Sequence, residues 1–152
     1  MILSILIPVY NYRCTALVAA LQQQADKCNI EYEIIVADDG SDNVSCINEN
    51  RKINAIPHSV FHEIGENHGR SWIRNWLVKH SHGQFLLFID SDAEVCSDGF
   101  VRLYLEETGK NAVICGGILF SIIKRFPVLS AMACKVEITI SFTFCEKWRD
   151  TA

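Results

Sequence analysis

The sequence predicts an α/β fold in which helices cover both faces of a mostly parallel β-sheet. Three short apolar segments, residues 2–7, 34–37 and 85–89, are typical of strands buried on both sides. Segments with a helical repeat of apolar residues separate them, and strands that alternate with helices form parallel sheets. The 152 residues are 49% apolar and 21% charged, which is enough for a single domain with a buried core.

Two strands and two helices are predicted in the first third of the chain. The first strand, residues 2–7, is followed by a helix over 15–27 whose apolar residues recur on one side. The second strand, residues 34–37, runs into residues 38–41, whose Asp, Gly and Ser favour a turn. A short polar helix is predicted within residues 42–53.

Three more strands and two more helices complete the alternating pattern. Either Ser97 or Asp98 is expected to cap the last helix, and Gly109 is expected to end it. The predicted strands are 59–64, 85–89 and 112–115, and the predicted helices are 70–80 and 99–108.

The C-terminal part of the chain has a less regular pattern. From about Leu119 the apolar residues follow no single period. Residues 135–144 alternate in part, which favours an edge strand.

The composition limits which kinds of binding partner and which cellular compartment are expected for the chain. A net charge of −4 and the absence of a long basic run argue against a nucleic-acid partner. The seven cysteines include no C-x-x-C pair, which predicts free thiols in a reducing compartment. The N-terminal segment lacks a basic region and a cleavage site, so we expect a first strand and a cytoplasmic protein.

Asp90-Ser91-Asp92 is the motif that most directly indicates a ligand-binding site. It follows the apolar residues 85–89, and ligands of open α/β sheets bind at the carboxyl ends of the strands. Alternate residues of an extended segment point the same way, roughly 6–7 Å apart. The motif therefore suits a divalent cation that carries a phosphorylated ligand.

Similar polar motifs follow the first three strands, and the four together resemble those of family 2 glycosyltransferases. The resemblance covers residues 1 to about 118. It implies a single Rossmann-like GT-A domain that transfers a sugar from a nucleoside diphosphate with inversion, in cell-surface polysaccharide synthesis. The four motifs are Pro8-Val9-Tyr10-Asn11, Asp38-Asp39-Gly40-Ser41, Asn67-His68-Gly69-Arg70 continuing to Arg74-Asn75, and Asp90-Ser91-Asp92.

The resemblance implies a substrate site that begins at the nucleotide base. Pro8, Tyr10 and Asn11 belong to the first motif, and the ring of Tyr10 offers a stacking face to a uridine-type base. Asp38 or Asp39 accepts a hydrogen bond from the base imide, and the sequence leaves open which of the two does so.

The other end of the implied site holds the diphosphate. Asp92 is the expected ligand of Mg²⁺ or Mn²⁺, and Asp90 contacts the ribose or a water on the metal. Arg70 or Arg74 adds positive charge beside the diphosphate. For Arg74, pairing with a surface acid is an equally supported interpretation. His68 is expected to be a solvated loop residue.

The acceptor side departs from the family pattern. The family places a general base after the fifth strand, and no matching carboxylate is recognisable there; Glu137, Glu146 and Asp150 are the later acids considered. We therefore divide the chain into a donor-binding core, residues 1–118, and an atypical tail, residues 119–152. This division predicts a truncated or altered acceptor region.

Three functions remain at this point. The first is a glycosyltransferase with a UDP-type donor and a saccharide or lipid-linked acceptor, at the inner face of the membrane and as a homo-oligomer. The second is a catalytically silent fragment that binds the nucleotide sugar. The third, a nucleotidyltransferase, is disfavoured because the first loop lacks the Gly-rich, basic character expected of one.

Overall fold

The computed structural model describes residues 1–108, together with the backbone of 115–119 and 135–144. It confirms the α/β class and the order of the predicted elements. The elements are β1 (Leu3–Val9), α1 (Thr15–Lys27), β2 (Tyr32–Asp38), α2 (Val44–Asn50), a 3₁₀ turn (Arg51–Ala55), β3 (Ser59–Glu63), α3 (Arg70–His80), β4 (Phe85–Phe88), α4 (Phe100–Glu107), β5 (Cys115–Leu119) and β6 (Lys135–Phe144).

The sheet has the strand order β3-β2-β1-β4-β6-β5. The first four strands are parallel, with β1 between β2 and β4, whereas β6 is antiparallel to both β4 and β5. The expectation of an edge strand over 135–144 was wrong in position, because β6 lies inside the sheet and β5 occupies its edge. The division of the chain at residue 118 stays a prediction.

Two element boundaries also differ from the sequence prediction. The fifth strand begins at Cys115 instead of ending there, and residues 112–114 lie outside the described part of the chain. Helix α4 is preceded by Gly99 with no side-chain cap; the Ser97 hydroxyl accepts a hydrogen bond from the Gly99 N–H at 3.2 Å. The expected stop at Gly109 lies outside the described residues.

Apolar residues form one core on each face of the sheet. Along β1, Leu3, Ile5, Ile7 and Val9 face α1 and α4, while Leu6 faces α3. This alternation follows from the two-residue period of a strand. The helices therefore cover both faces, and the polar strand ends are left at the rim. Within the described residues, no helix combines the length and apolar character needed to cross a membrane.

A polar network closes the rim at the amino ends of the strands. The Glu33 carboxylate accepts hydrogen bonds from the Ser4 hydroxyl at 2.6 Å and the His82 backbone N–H at 2.6 Å. The Ser4 oxygen in turn accepts the Gly83 N–H at 2.8 Å. Burial acts to raise the pKa of Glu33, but the hydrogen bonds from Ser4 and His82 together outweigh it, so the pKa is lowered from 4.5.

The Glu33 network predicts a specific loss of stability in acid. A lowered pKa in the folded state means that the ionised carboxylate stabilises the fold above the unfolded value of 4.5. This contribution is lost as the pH falls through the folded value. In urea unfolding between about pH 5 and pH 2, the free energy of unfolding of Glu33→Gln should fall less steeply than that of the wild type.

The matched control is Glu31→Gln, because Glu31 is a neighbouring, largely exposed carboxylate that pairs with the N-terminal amine. It should retain the wild-type slope. Equal slopes for Glu33→Gln and the wild type would contradict the role of the network.

Candidate functional site

A cleft of about 240 Å³ lies at the carboxyl ends of β1, β2 and β4. Its position is where an open α/β sheet binds ligands. Six of the nine predicted site residues line it: Pro8, Tyr10, Asp39, Arg70, Asp90 and Asp92. The other three, Asn11, Asp38 and Arg74, support its walls.

Asn11 fastens the loop after β1 to the loop after β2. It has a φ of 52°, in the left-handed region, and its side-chain oxygen accepts the N–H groups of Asp42 at 3.1 Å and Asn43 at 3.0 Å. Its own N–H donates to the Ser41 hydroxyl at 2.7 Å. Asn11 therefore supports, from behind, the loop that carries Tyr10.

Asp39 is buried at the cleft wall, with only 5% of its surface exposed. One carboxylate oxygen accepts the His68 N–H and the other accepts the Gly69 N–H, each at 2.9 Å. The backbone N–H of Asp39 donates to the Val9 carbonyl at 2.9 Å. These bonds hold the carboxylate in one orientation against the cleft.

Asp38 lies under the turn and does not line the cleft. One of its oxygens accepts the Ser41 N–H at 2.7 Å, whereas the other is buried with no hydrogen-bond partner among the residues that the structure describes. The sequence left the choice between the two aspartates open. In the structure, Asp39 lines the cleft, whereas Asp38 supports the turn.

Two arginines from α3 surround Asp90. Arg74 donates to one Asp90 oxygen at 2.6 Å, and Arg70 lies 3.8 Å from the other. The Arg74 guanidinium also lies 5.0 Å from the centre of the Phe88 ring. Arg74 therefore pairs with an acid that lines the cleft. This ion pair compensates the negative charge of Asp90.

Asp92 is exposed in the cleft and has no hydrogen bond or ion pair within the described residues. Those residues include no group of three or more His, Cys, Asp or Glu side chains able to hold a metal ion. A hard cation such as Mg²⁺ needs only one or two protein carboxylates when phosphate and water complete its shell. Asp92, with Asp90 beside it, fits that kind of site and does not form a closed metal cage.

The cleft also contains residues that the sequence analysis missed. Tyr12 is half-exposed like Tyr10, and it lines the same wall. The sequence signal for Tyr12 was its place in the same short loop after β1 as Tyr10. His68 is exposed as expected, and its ring stacks on Trp72 with centroids 4.0 Å apart.

Gly40 allows the turn after β2 to pack against the loop before α3. Its φ is +72°, and a Cβ atom there would lie 2.4 Å from the Glu66 carbonyl carbon and 2.5 Å from the Asn67 nitrogen. No side chain fits at those distances. The close approach sets where the next residues, His68 and Gly69, meet Asp39.

The comparisons with known proteins agree on one family and one fold. The family model described as "Glycosyl transferase family 2" matches residues 4–138. The uncharacterized glycosyltransferase YfnE of Bacillus subtilis (strain 168) is 31% identical over 114 residues, which is 74% of this chain and 29% of YfnE. The chain thus spans under a third of that relative.

Solved structures share the fold at lower identity. TarS 1-349 of S. aureus, in complex with UDP-GlcNAc, matches 87% of this chain and 38% of its own, with a TM-score of 0.62 and 22% identity. The mannosyltransferase PcManGT of Pyrobaculum calidifontis, in complex with GDP-Man and Mn²⁺, matches 73% of this chain and 33% of its own, with a TM-score of 0.53 and 16% identity.

The packing of Gly40 predicts a large penalty for a single added methyl group. Gly40→Ala should destabilise the fold by about 2–4 kcal/mol, because backbone atoms must move and the φ is strained. Gly65→Ala is the control, since Gly65 has a φ of +85° but nothing within 4 Å of the added Cβ. It should cost only about 1 kcal/mol. Urea unfolding measures both values, and equal penalties would contradict the packing argument.

Proposed function

The chain belongs to glycosyl transferase family 2, and we propose that its cleft binds the nucleoside diphosphate of a sugar donor. The sugar would pass to a saccharide or lipid-linked acceptor. The observation that carries the proposal is the convergence of Tyr10, Asp39 and Asp92 in one cleft at the strand ends. These groups offer an aromatic face, a fixed acceptor and an unpaired carboxylate, which match a base, its imide and a metal-bound diphosphate.

At the base end, a uracil fits the chemistry of the wall. Each Asp39 oxygen already accepts one backbone N–H, and a carboxylate oxygen has a further lone pair for the imide N–H. The two backbone bonds fix the acceptor before the ligand arrives, which lowers the ordering cost of binding. The exposed ring of Tyr10 provides the stacking face, and we favour UDP over GDP because the resemblance of the first motif implies a uridine-type base.

At the diphosphate end, Asp92 would hold Mg²⁺ or Mn²⁺, with Asp90 close by. The metal would supply Lewis-acid compensation of the charge that develops on the departing diphosphate. Arg70 is 84% exposed and reaches the same part of the cleft, where its guanidinium can pair with phosphate oxygens. Arg74 holds Asp90 in place, because its hydrogen bond to that carboxylate is short.

Inverting transfer further requires a general base that takes the proton from the acceptor hydroxyl as the anomeric carbon is attacked. The acids among the described residues that line the cleft, Asp39, Asp90 and Asp92, are all assigned to the donor in this proposal. Of the acids considered as bases, Glu137 falls within β6, while Glu146 and Asp150 lie outside the described residues. Because none of these acids is assigned as the base, a silent donor-binding fragment is the second candidate function. Transfer in polysaccharide synthesis belongs to the first.

A thermal-shift titration tests donor binding. UDP with Mn²⁺ should raise the melting temperature by several degrees, since a ligand at about 100 times its Kd stabilises by about 2.7 kcal/mol. Asp92→Asn should remove most of the Mn²⁺-dependent part of the shift, because the amide is a weaker cation ligand. Asp98→Asn is the control: it makes the same charge change at an exposed position that does not line the cleft.

The outcomes separate the candidates. No shift of the wild type with UDP or GDP would refute both functions. If Asp92→Asn shows the same Mn²⁺-dependent shift in melting temperature as the wild type, the metal does not bind at Asp92. When the nucleotide binds, release of UDP from a UDP-sugar indicates an active enzyme, and its absence indicates the silent fragment.

A further inference from the structure

Asn50, at the end of α2, is fully buried and joins that helix to the loop after β1. Its side-chain oxygen accepts the Cys14 N–H at 3.0 Å. Its side-chain nitrogen donates to the Tyr12 carbonyl at 2.8 Å. One amide therefore satisfies the backbone groups on either side of Arg13, as a neighbouring strand would do.

Two further contacts attach the same loop to α2. The Thr15 hydroxyl donates to the Glu49 carbonyl at 3.1 Å, and the Arg13 guanidinium donates to the Ser45 hydroxyl at 2.7 Å. The bond from the Cys14 N–H to Asn50 is buried, whereas the Thr15 bond, like the bond from Asn50 to Tyr12, is partly buried and the Arg13 bond is exposed. A shielded hydrogen bond is costly to break when its partner is left unsatisfied.

The Cys14 side chain completes the junction without adding a charge. Burial, together with the nearby Asp38 carboxylate, raises the pKa of the Cys14 thiol to about 12. The thiol therefore remains neutral at physiological pH, and it lies 3.6 Å from the Asn50 oxygen. The Asn50 amide is the side chain that hydrogen-bonds the backbone on both sides of Arg13.

We propose that Asn50 is a positioning residue for the nucleotide base: it fixes the backbone that presents Tyr10 and Tyr12 to the cleft. The inference rests on the proposed function and adds a residue that does not line the cleft. Asn50 does not line the cleft, and its side-chain hydrogen bonds go to the loop after β1. Its removal should therefore weaken nucleotide binding only as far as the tyrosines contribute to it.

The first test measures the loop without a ligand. Hydrogen exchange of the Cys14 amide should become at least about tenfold faster in Asn50→Ala, because its buried acceptor is gone. Asn54→Ala is the control, since the Asn54 oxygen accepts the Phe61 N–H at 2.8 Å, away from this loop. It should leave the exchange of Cys14 unchanged.

The second test is a double-mutant cycle on UDP affinity, measured by calorimetry with Mn²⁺. Asn50→Ala should weaken UDP binding about tenfold in the wild-type background. In a background that carries both Tyr10→Ala and Tyr12→Ala, the same substitution should have an effect of less than about twofold. A role that is merely structural would reduce affinity by the same factor in both backgrounds.

Asn50→Asp covers the case in which the alanine variant does not fold. It keeps the acceptor for Cys14 but places an oxygen opposite the Tyr12 carbonyl, so UDP affinity should fall and show the same non-additivity. Additive effects, or unchanged affinity in a folded Asn50 variant, would overturn the inference. Failure of the wild type to bind UDP and GDP would instead refute the proposed function.

Discussion

The geometry of the cleft depends on the hydrogen bonds of Asp39. Its carboxylate accepts two backbone N–H groups from the loop before α3, and its own N–H donates to the Val9 carbonyl at the end of β1. One residue thereby joins the ends of three neighbouring chain segments. Because a carboxylate buried without partners would be strongly destabilising, these bonds also account for its place in the wall. Gly40 makes the arrangement possible by letting the two loops touch.

The acids of the cleft differ in how far their charge is compensated. Asp39 is satisfied by backbone N–H groups and Asp90 by Arg74, whereas Asp92 faces solvent without a partner among the described residues. A metal-bound diphosphate would find one free carboxylate and one exposed arginine at the same end of the site. The end proposed for the base instead carries the ring of Tyr10 and the Asp39 carboxylate, whose oxygens are already held by two backbone N–H groups. This contrast gives the proposed donor one favourable orientation, with its base toward the tyrosines.

Local sequence patterns were sufficient to predict the strands and most of the cleft. Apolar runs predicted β1, β2 and β4. Residues that closely follow a strand, such as Tyr10 and Asp92, must then lie at the rim of the sheet. Contacts between distant segments could not be predicted in this way. The partner of Arg74 depends on how α3 crosses the sheet, and the role of Asn50 depends on α2 meeting a loop 36 residues earlier. The interior position of β6 likewise depends on long-range pairing with β4, which alternation alone does not specify.

In the proposed complex, one cleft binds a nucleotide with its base against the Tyr10 wall and its diphosphate beside Asp92. A crystal structure of the chain grown with UDP and Mn²⁺ tests it most directly. We expect the uracil imide on the Asp39 carboxylate, the ring of Tyr10 against the base, and Mn²⁺ bound by Asp92 and the diphosphate. A nucleotide bound elsewhere, or in this cleft with its diphosphate toward Tyr10, would contradict it.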